Sequence, residues 1–371
     1  MTNPISSMSG SATTYNPTGT FSITQPLLQG AGPQVVLAPL KNAMDQEESN
    51  KLGMKQQIIT TVSTVINDYY NVVSSNAQII VQQNQLTEAQ KTLQVNEAKI
   101  KVGMSEPTSI YQTEAQIETL KLSLTQAIIA AETAKLTLLN DIGLDPNTKI
   151  KISSDIDIPD ARIPSEEECI AIALKNNISY LQVLIQVRAD ERNVTVQKNA
   201  QLWTLNATGS ITTGASGSTG GPDGGFPSLA NGRNFNQQAG LTLSVPIDNL
   251  PTQQLLVSAR VALEQDKVNL EANKRALIIS IKSQLLQLKS LYEQIKISES
   301  AVAMSQNAYA VEKKKQEIGR SSTLDVATSL TNLIQAQTNL ISNKISYINA
   351  QTQLYSTLGT TLDVWRIKVR Y

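Results

Sequence analysis

The sequence predicts a mainly helical chain with a smaller β part, built twice from one strand–helix–hairpin unit and completed only as an oligomeric barrel. Three observations lead there. One block of sequence recurs without a gap, two helical stretches run several times the usual length, and short segments alternate apolar with uncharged polar residues.

The repeat comes first, because it organises the rest. KVGMSEPTSIYQTEAQIETLKLSLTQAIIAAETAKLTLLNDIG, ending at Gly143, matches EIGRSSTLDVATSLTNLIQAQTNLISNKISYINAQTQLYSTLG, ending at Gly359, at a constant offset of 216. Gly103 falls on Gly319, Leu124 on Leu340, Ala134 on Ala350 and Leu138 on Leu354. Ile110, Ile117, Leu124, Ala131 and Leu138 recur every seven residues, as do Val326, Leu333, Leu340, Tyr347 and Leu354. Such spacing keeps one seam against a neighbouring helix. FSITQPLLQ around Pro26 and LTLSVPIDN around Pro246 extend the correspondence upstream. The repeats are thus 1–160 and 161–371. Counting back from the prolines, 81 residues separate Pro246 from Ser165 but only 25 precede Pro26. The first repeat is therefore expected to lack its opening helix and strand, as in an N-terminally truncated chain.

Helices are expected at about 34–101, 106–142, 165–199, 253–317 and 322–358. The first and fourth would each rise roughly 100 Å at ~1.5 Å per residue. The shorter ones reach about half of that, so two stacked end to end match one long helix. Gly103 and Gly319 suit the left-handed residue that closes a helix. Ser105 and Ser322 are N-cap candidates, and Ser322-x-x-Asp325 has the form of a capping box. Each break reads as a hairpin tip. Outside the seams the helices are rich in Gln, Asn, Ser and Thr, as a wall wetted on both sides requires.

Strands are expected at about 12–27, 202–213 and 238–247. Trp203, Leu205, Ala207 and Ile211 alternate with Thr204, Asn206, Thr208 and Ser210; Leu241, Leu243 and Val245 alternate with Thr242 and Ser244. Period-two alternation with a polar, uncharged second face fits a transmembrane barrel with a wet lumen. A soluble sheet packed on the helices is the alternative. No run of 18 apolar residues is present, so no helix is expected to cross a membrane.

Composition removes other classes. Thirty-one basic residues balance 31 acidic ones, which supplies no charge for nucleic acid. With no histidine and one cysteine, Cys169, the chain lacks the commonest base and metal ligands. No catalytic residue, metal or cofactor is expected, and no enzyme. The Glu166-Glu167-Glu168 run reads as an acidic helix start, and Cys169 as a small core residue.

On these residues the chain resembles the TolC-like outer-membrane efflux proteins (outer membrane factors). The duplicated unit, the tips Val102-Gly103-Met104-Ser105 and Ile318-Gly319-Arg320-Ser321, and the Ala-x-x-x-Leu-x-x-x-x-Gly endings carry the resemblance. It implies a homotrimer in which an outer-membrane β-barrel continues into a periplasmic α-barrel of long helical hairpins. Such a duct is a passive exit for solutes expelled by an inner-membrane transporter in a tripartite efflux or secretion system. Localisation is then the outer membrane, in contact with its lipid, with a large periplasmic part.

The resemblance also implies site residues. A periplasmic adaptor (membrane fusion) protein would dock at the tips, on Val102, Gly103, Met104 and Ser105 and on Ile318 and Gly319; Met104 stands where the family has leucine. Relatives narrow the entrance with acidic rings and a tip arginine. Asp325 matches the first acidic position, Thr328 the second, and Ser321 the arginine, with Arg320 adjoining. Asp325 could equally serve only to cap its helix. Lys99, Lys101, Lys313, Lys314 and Lys315 read as a solvated helix end rather than a docking patch. The rival function is a soluble coiled-coil scaffold or a periplasmic adaptor-like interaction protein, which needs the heptads but not the strands.

Overall fold

A computed structural model describes residues 18–101, 108–154, 156, 158, 163–214 and 235–369. In chain order it contains β1 (Thr18–Pro26), α1 (Pro33–Val36), α2 (Ala38–Lys101), α3 (Thr108–Asp141), α4 (Glu166–Asn176) and α5 (Ile178–Asn199). There follow β2 (Thr204–Gly214), β3 (Phe235–Ser244), α6 (Leu250–Glu317), α7 (Thr323–Leu358) and α8 (Thr361–Val364). Two compact units form, one from residues 1–48 and 183–270 and the other from 49–182 and 271–371. Each unit draws on both sequence repeats.

The first unit holds the sheet, antiparallel in the order β1-β2-β3. Its register sorts the side chains by face. Phe21 pairs with Ile211, Leu205 with Leu243, and Ala207 with Leu241. Thr20 pairs with Thr212, Ser22 with Ser210, and Thr204 with Ser244. One face is therefore mostly apolar, with Gln25, Thr213 and Gln237 among its residues, and the other is mostly hydroxyl and amide, without a charge on either. Phe21, Ile23, Leu241 and Leu243 are each more than half exposed. The third strand departs from expectation at both ends. It begins at Phe235 and stops at Ser244, because Pro246 has no N–H with which to continue a ladder. Residues 12–17 of the first expected strand lie outside the described residues.

Turns tie the sheet to helices within this unit. Asn199 Oδ1 accepts from Gly30 N at 2.6 Å, and Asn199 Nδ2 donates to Leu28 O at 3.3 Å. Arg192 pairs with Asp45, and Arg188 reaches Glu48 at 3.0 Å, joining α5 to the start of α2. The stretch expected to be helical from residue 34 is interrupted near Pro39, which cannot donate to Val35. Gly53, by contrast, lies within an unbroken helix.

The second unit is a set of antiparallel helices. Val73 and Ala77 of α2 pack on Ile341, Ile345 and Ile348 of α7; Ala89 of α2 packs with Ile117 and Leu120 of α3. Tyr309 of α6 packs with Val326 and Leu330 of α7. The helix expected over 165–199 is two helices. Asn177 breaks it by turning its own side chain into caps, accepting from Tyr180 N at 2.9 Å and donating to Thr357 O at 2.9 Å. That second bond meets the end of α7, where Gly359 (φ 71°) closes the helix with bonds from Gly359 N to Ser356 O and from Thr360 N to Tyr355 O. A Cβ on Gly359 would lie 2.3 Å from Asn176 O, so both the backbone sign and the close approach demand glycine. Cys169 sits beside this joint, fully buried with Ala173, Ile281 and Leu354, and burial pushes its thiol up. Glu168 closes a capping box with Ser165. None of the described helices is long and apolar enough to cross a membrane.

Candidate functional site: the hairpin tips

The α6–α7 tip is built from its turn outwards. α6 ends in a Schellman arrangement, with Gly319 (φ 76°) donating to Gln316 O and Arg320 N to Lys315 O. The next helix starts with a reciprocal cap. Ser322 Oγ accepts from Asp325 N at 3.1 Å, while Ser322 N and Oγ both donate to Asp325 Oδ2, at 3.1 and 2.6 Å. Those two donors hold the Asp325 carboxyl below its ordinary value, so it is charged at the mouth of the tip. Thr328 Oγ1 donates to Leu324 O of its own helix at 2.9 Å. Ser321 donates to Glu312 at 2.5 Å; that bond and one from Lys315 lower the Glu312 carboxyl. Ile318 and Arg320 stand exposed. The tip thus brings Ser321, Ser322 and Asp325 together with Glu312, which sequence reasoning missed. Val102, Gly103, Met104 and Ser105 of the other tip lie outside the described residues.

Behind the tips, polar side chains join the two hairpins. Glu88 of α2 receives Lys313 Nζ at 2.5 Å and Tyr309 OH at 3.2 Å from α6, and Lys91 at 2.8 Å. Burial alone would raise the Glu88 carboxyl, but the hydrogen bonds and charges of Lys313 and Lys91 outweigh it and bring it to about 2. Burial and the Glu88 charge together push the Tyr309 phenol up. Nearer the tip, Asn96 donates to Thr113 Oγ1 at 3.0 Å and accepts from Gln316 Nε2 at 3.2 Å, all three being buried. Lys99 donates to Gln316 O. Lys99 and Lys313 therefore reach across to another helix, while Lys315, half exposed, pairs with Glu312 of its own helix. A signal for this layer existed: Gln85, Thr92 and Asn96 fall on the same 3–4 frame as Ala89, so a seam was interrupted by polar residues. That Asn96 meets Gln316, 220 residues away, could not be read from it.

The family model described as outer membrane efflux protein matches residues 4–144 and 169–360. No curated protein matches the chain in sequence. Among solved structures, the fold is similar to that of CusC, at a TM-score of 0.73 and 17% identity over 93% of this chain and 83% of that one. VceC, an outer membrane protein of Vibrio cholerae, superimposes at 0.73 with 14% identity over 93% and 87% of the two chains. The MtrE outer membrane channel of Neisseria gonorrhoeae gives 0.72 and 14% over 95% and 81%.

Proposed function

The chain belongs to the outer membrane efflux protein family, and from that premise we propose that it is a passive exit duct of a tripartite system. Solutes expelled by an inner-membrane transporter would leave through it, with a periplasmic adaptor bridging the two. The duct is a homotrimer seated in outer-membrane lipid, with its long hairpins in the periplasm, and it catalyses nothing.

The observation that carries this reading is the sheet. A ribbon with an exposed face of Phe, Ile and Leu and a second face of Thr, Ser, Asn and Gln suits lipid on one side and water on the other. Its outer strands present backbone N–H and C=O groups that hydrocarbon would leave unpaired at several kcal/mol each, which favours closure with strands of other copies. The tips supply the other end of the duct. Asp325, held ionised by Ser322, is the entrance-ring residue, with Thr328, Ser321 and Arg320 beside it. Three symmetry copies of that charge favour cations. Val102, Gly103, Met104, Ser105, Ile318 and Gly319 are the adaptor-docking tips.

The test is conductance of the detergent-purified full chain in planar lipid bilayers. A steady, cation-preferring conductance is expected, with the preference reduced in Asp325→Asn. A folded chain that stays in solution without detergent and conducts nothing would sink the duct and favour the scaffold.

A further inference from the structure

Glu88 meets Lys313 and Asp45 meets Arg192, opposite charges that join two helices. Two further contacts between helices pair an aspartate with an aspartate. Asp190 of α5 faces Asp266 of α6, and Asp68 of α2 faces Asp141, the last residue of α3, each within hydrogen-bonding reach. One contact lies in each compact unit.

The atoms around them show what is missing. Asp190 Oδ1 accepts from Gln186 Nε2 at 3.2 Å, and Asp266 Oδ1 accepts from Asn269 Nδ2 at 3.1 Å. Asp190 Oδ2 is sealed from solvent, and no donor among the described residues reaches it. The second contact repeats the arrangement. Asp141 Oδ1 accepts from Asn140 Nδ2 at 3.0 Å, while Asp68 Oδ2 is sealed and without a donor. An ionised carboxyl only accepts, so two facing carboxylates repel and leave the sealed oxygen unpaired. A single proton between them cures both faults, because the O–H of one carboxyl then donates to the other.

The neighbouring charges are committed elsewhere. Around Asp190, α1 brings no charge, and α2 brings Asp45 and Glu48, held by Arg192 and Arg188 of α5. On α6, Glu264 and Lys267 pair with each other at 3.1 Å. Around Asp68, α7 packs on α2 through Ile345 and Ile348. It carries Tyr347, Tyr355 and, past Asp325, the single charge Lys344, which pairs with Glu299 at 3.9 Å. The segment after α3 carries Asp145, Lys149 and Lys151, and α8, packed further along α2 at Ile59, carries Asp363. Among the described residues, the charge that acts on Asp190 is Asp266, and the charge that acts on Asp68 is Asp141. Burial first, and then the facing carboxyl, push both groups up from the ordinary aspartate value, against a smaller pull from Gln186 at Asp190.

We propose that the folded chain holds a shared proton at each contact, Asp68–Asp141 between α2 and α3 and Asp190–Asp266 between α5 and α6, and that loss of these protons loosens both helix pairs. The bridges belong to the folded chain and do not depend on the duct reading. Their stabilisation is complete below the unfolded aspartate value, ~3.9, and is lost as pH rises through the higher folded value. That is the reverse of the Glu88 contact, which acid breaks. The chain has no histidine, so no side chain of ordinary pKa changes charge between pH ~5 and ~7 and the two bridges act there without competition.

Amide substitution tests the proton directly, because an asparagine donates where the shared proton would. In the detergent-purified full chain, Asp68→Asn with Asp190→Asn is expected to raise the urea midpoint at pH ~7 and to leave it nearly unchanged at pH ~4. An equal shift at both pH values, or a lower midpoint at pH ~7, overturns the proposal. Asp141→Asn with Asp266→Asn should act alike, since either partner can carry the amide, and this pair serves if the first does not fold. The unsubstituted chain supplies a second measurement. Unfolded in weakly buffered solution at pH ~5, it is expected to release protons, and uptake or no change removes the bridges. A midpoint at pH ~7 that rises with calcium chloride and falls with EDTA also overturns them, because a divalent cation would then stand where the proton is placed.

Discussion

Helices α3 and α7 hold the same place in the two repeats, share a heptad frame at an offset of 216, and yet are used differently. Six residues of α3 are buried against ten of α7, and the difference lies on one side of the helix. Ile129 is 61% exposed, whereas its counterpart Ile345 is buried; Leu136 is exposed and its counterpart Thr352 is buried. α7 packs on α6 along one flank and α2 along another, while α3 packs on α2 and meets α7 near Ile334. The heptad frame says which sides of a helix can be covered. The number of neighbours within the protomer decides how many are.

The two helices also end alike and pack differently beyond the end. Gly143 and Gly359 both adopt φ 71°, but a Cβ on Gly143 would meet nothing within 4 Å, and one on Gly359 would strike Asn176 O. The largest contrast is therefore expected here. Gly143→Ala should cost about 1–2 kcal/mol, the left-handed penalty alone. Gly359→Ala adds a backbone collision and should cost upwards of about 3 kcal/mol. Urea midpoints of the two variants check this; equal losses would mean that the α4–α7 joint relaxes freely.

Ile345→Ala is expected to destabilise the chain by about 2–4 kcal/mol, as cavities in packed cores do. Ile129→Ala should change the unfolding midpoint of the dissociated chain by less than about 1 kcal/mol. A loss at Ile129 that appears at high protein concentration and shrinks on dilution sharpens the comparison, because it assigns that side chain to a contact between copies.

The smallest effect concerns the clasp between hairpins. The folded Glu88 carboxyl lies at about 2, below its ordinary range, so its contribution is present above pH ~4.3 and is lost as pH falls through about 2. Glu88 is partly exposed, so Glu88→Gln should cost about 1 kcal/mol at neutral pH and flatten the stability profile between pH ~4 and ~2. An unchanged acid profile in Glu88→Gln would show that the Glu88 clasp adds nothing to stability.

Local chemistry explains what was legible beforehand. The Gly319 turn and the Ser322–Asp325 cap are settled by residues within four positions of one another, and the strand faces by alternation. The division at Asn177 was not legible, because an asparagine in a periodic stretch breaks it only if its side chain finds partners, here Tyr180 N and Thr357 O. Glu312 was hidden for a similar reason: beside three lysines it reads as a solvated charge, and only the folded turn brings Ser321 to it.

The chain by itself determined the duplicated unit, the length of its helices, the two-faced strands and the closing glycines, because each follows from backbone geometry and hydrophobic period within a short span. Tertiary structure alone decided which apolar residues of α3 are core, which lysines are tied down, and why Gly359 must be glycine when Gly143 is held only by its φ. Those outcomes depend on which residue from a distant part of the chain occupies the space alongside, and no local pattern encodes that.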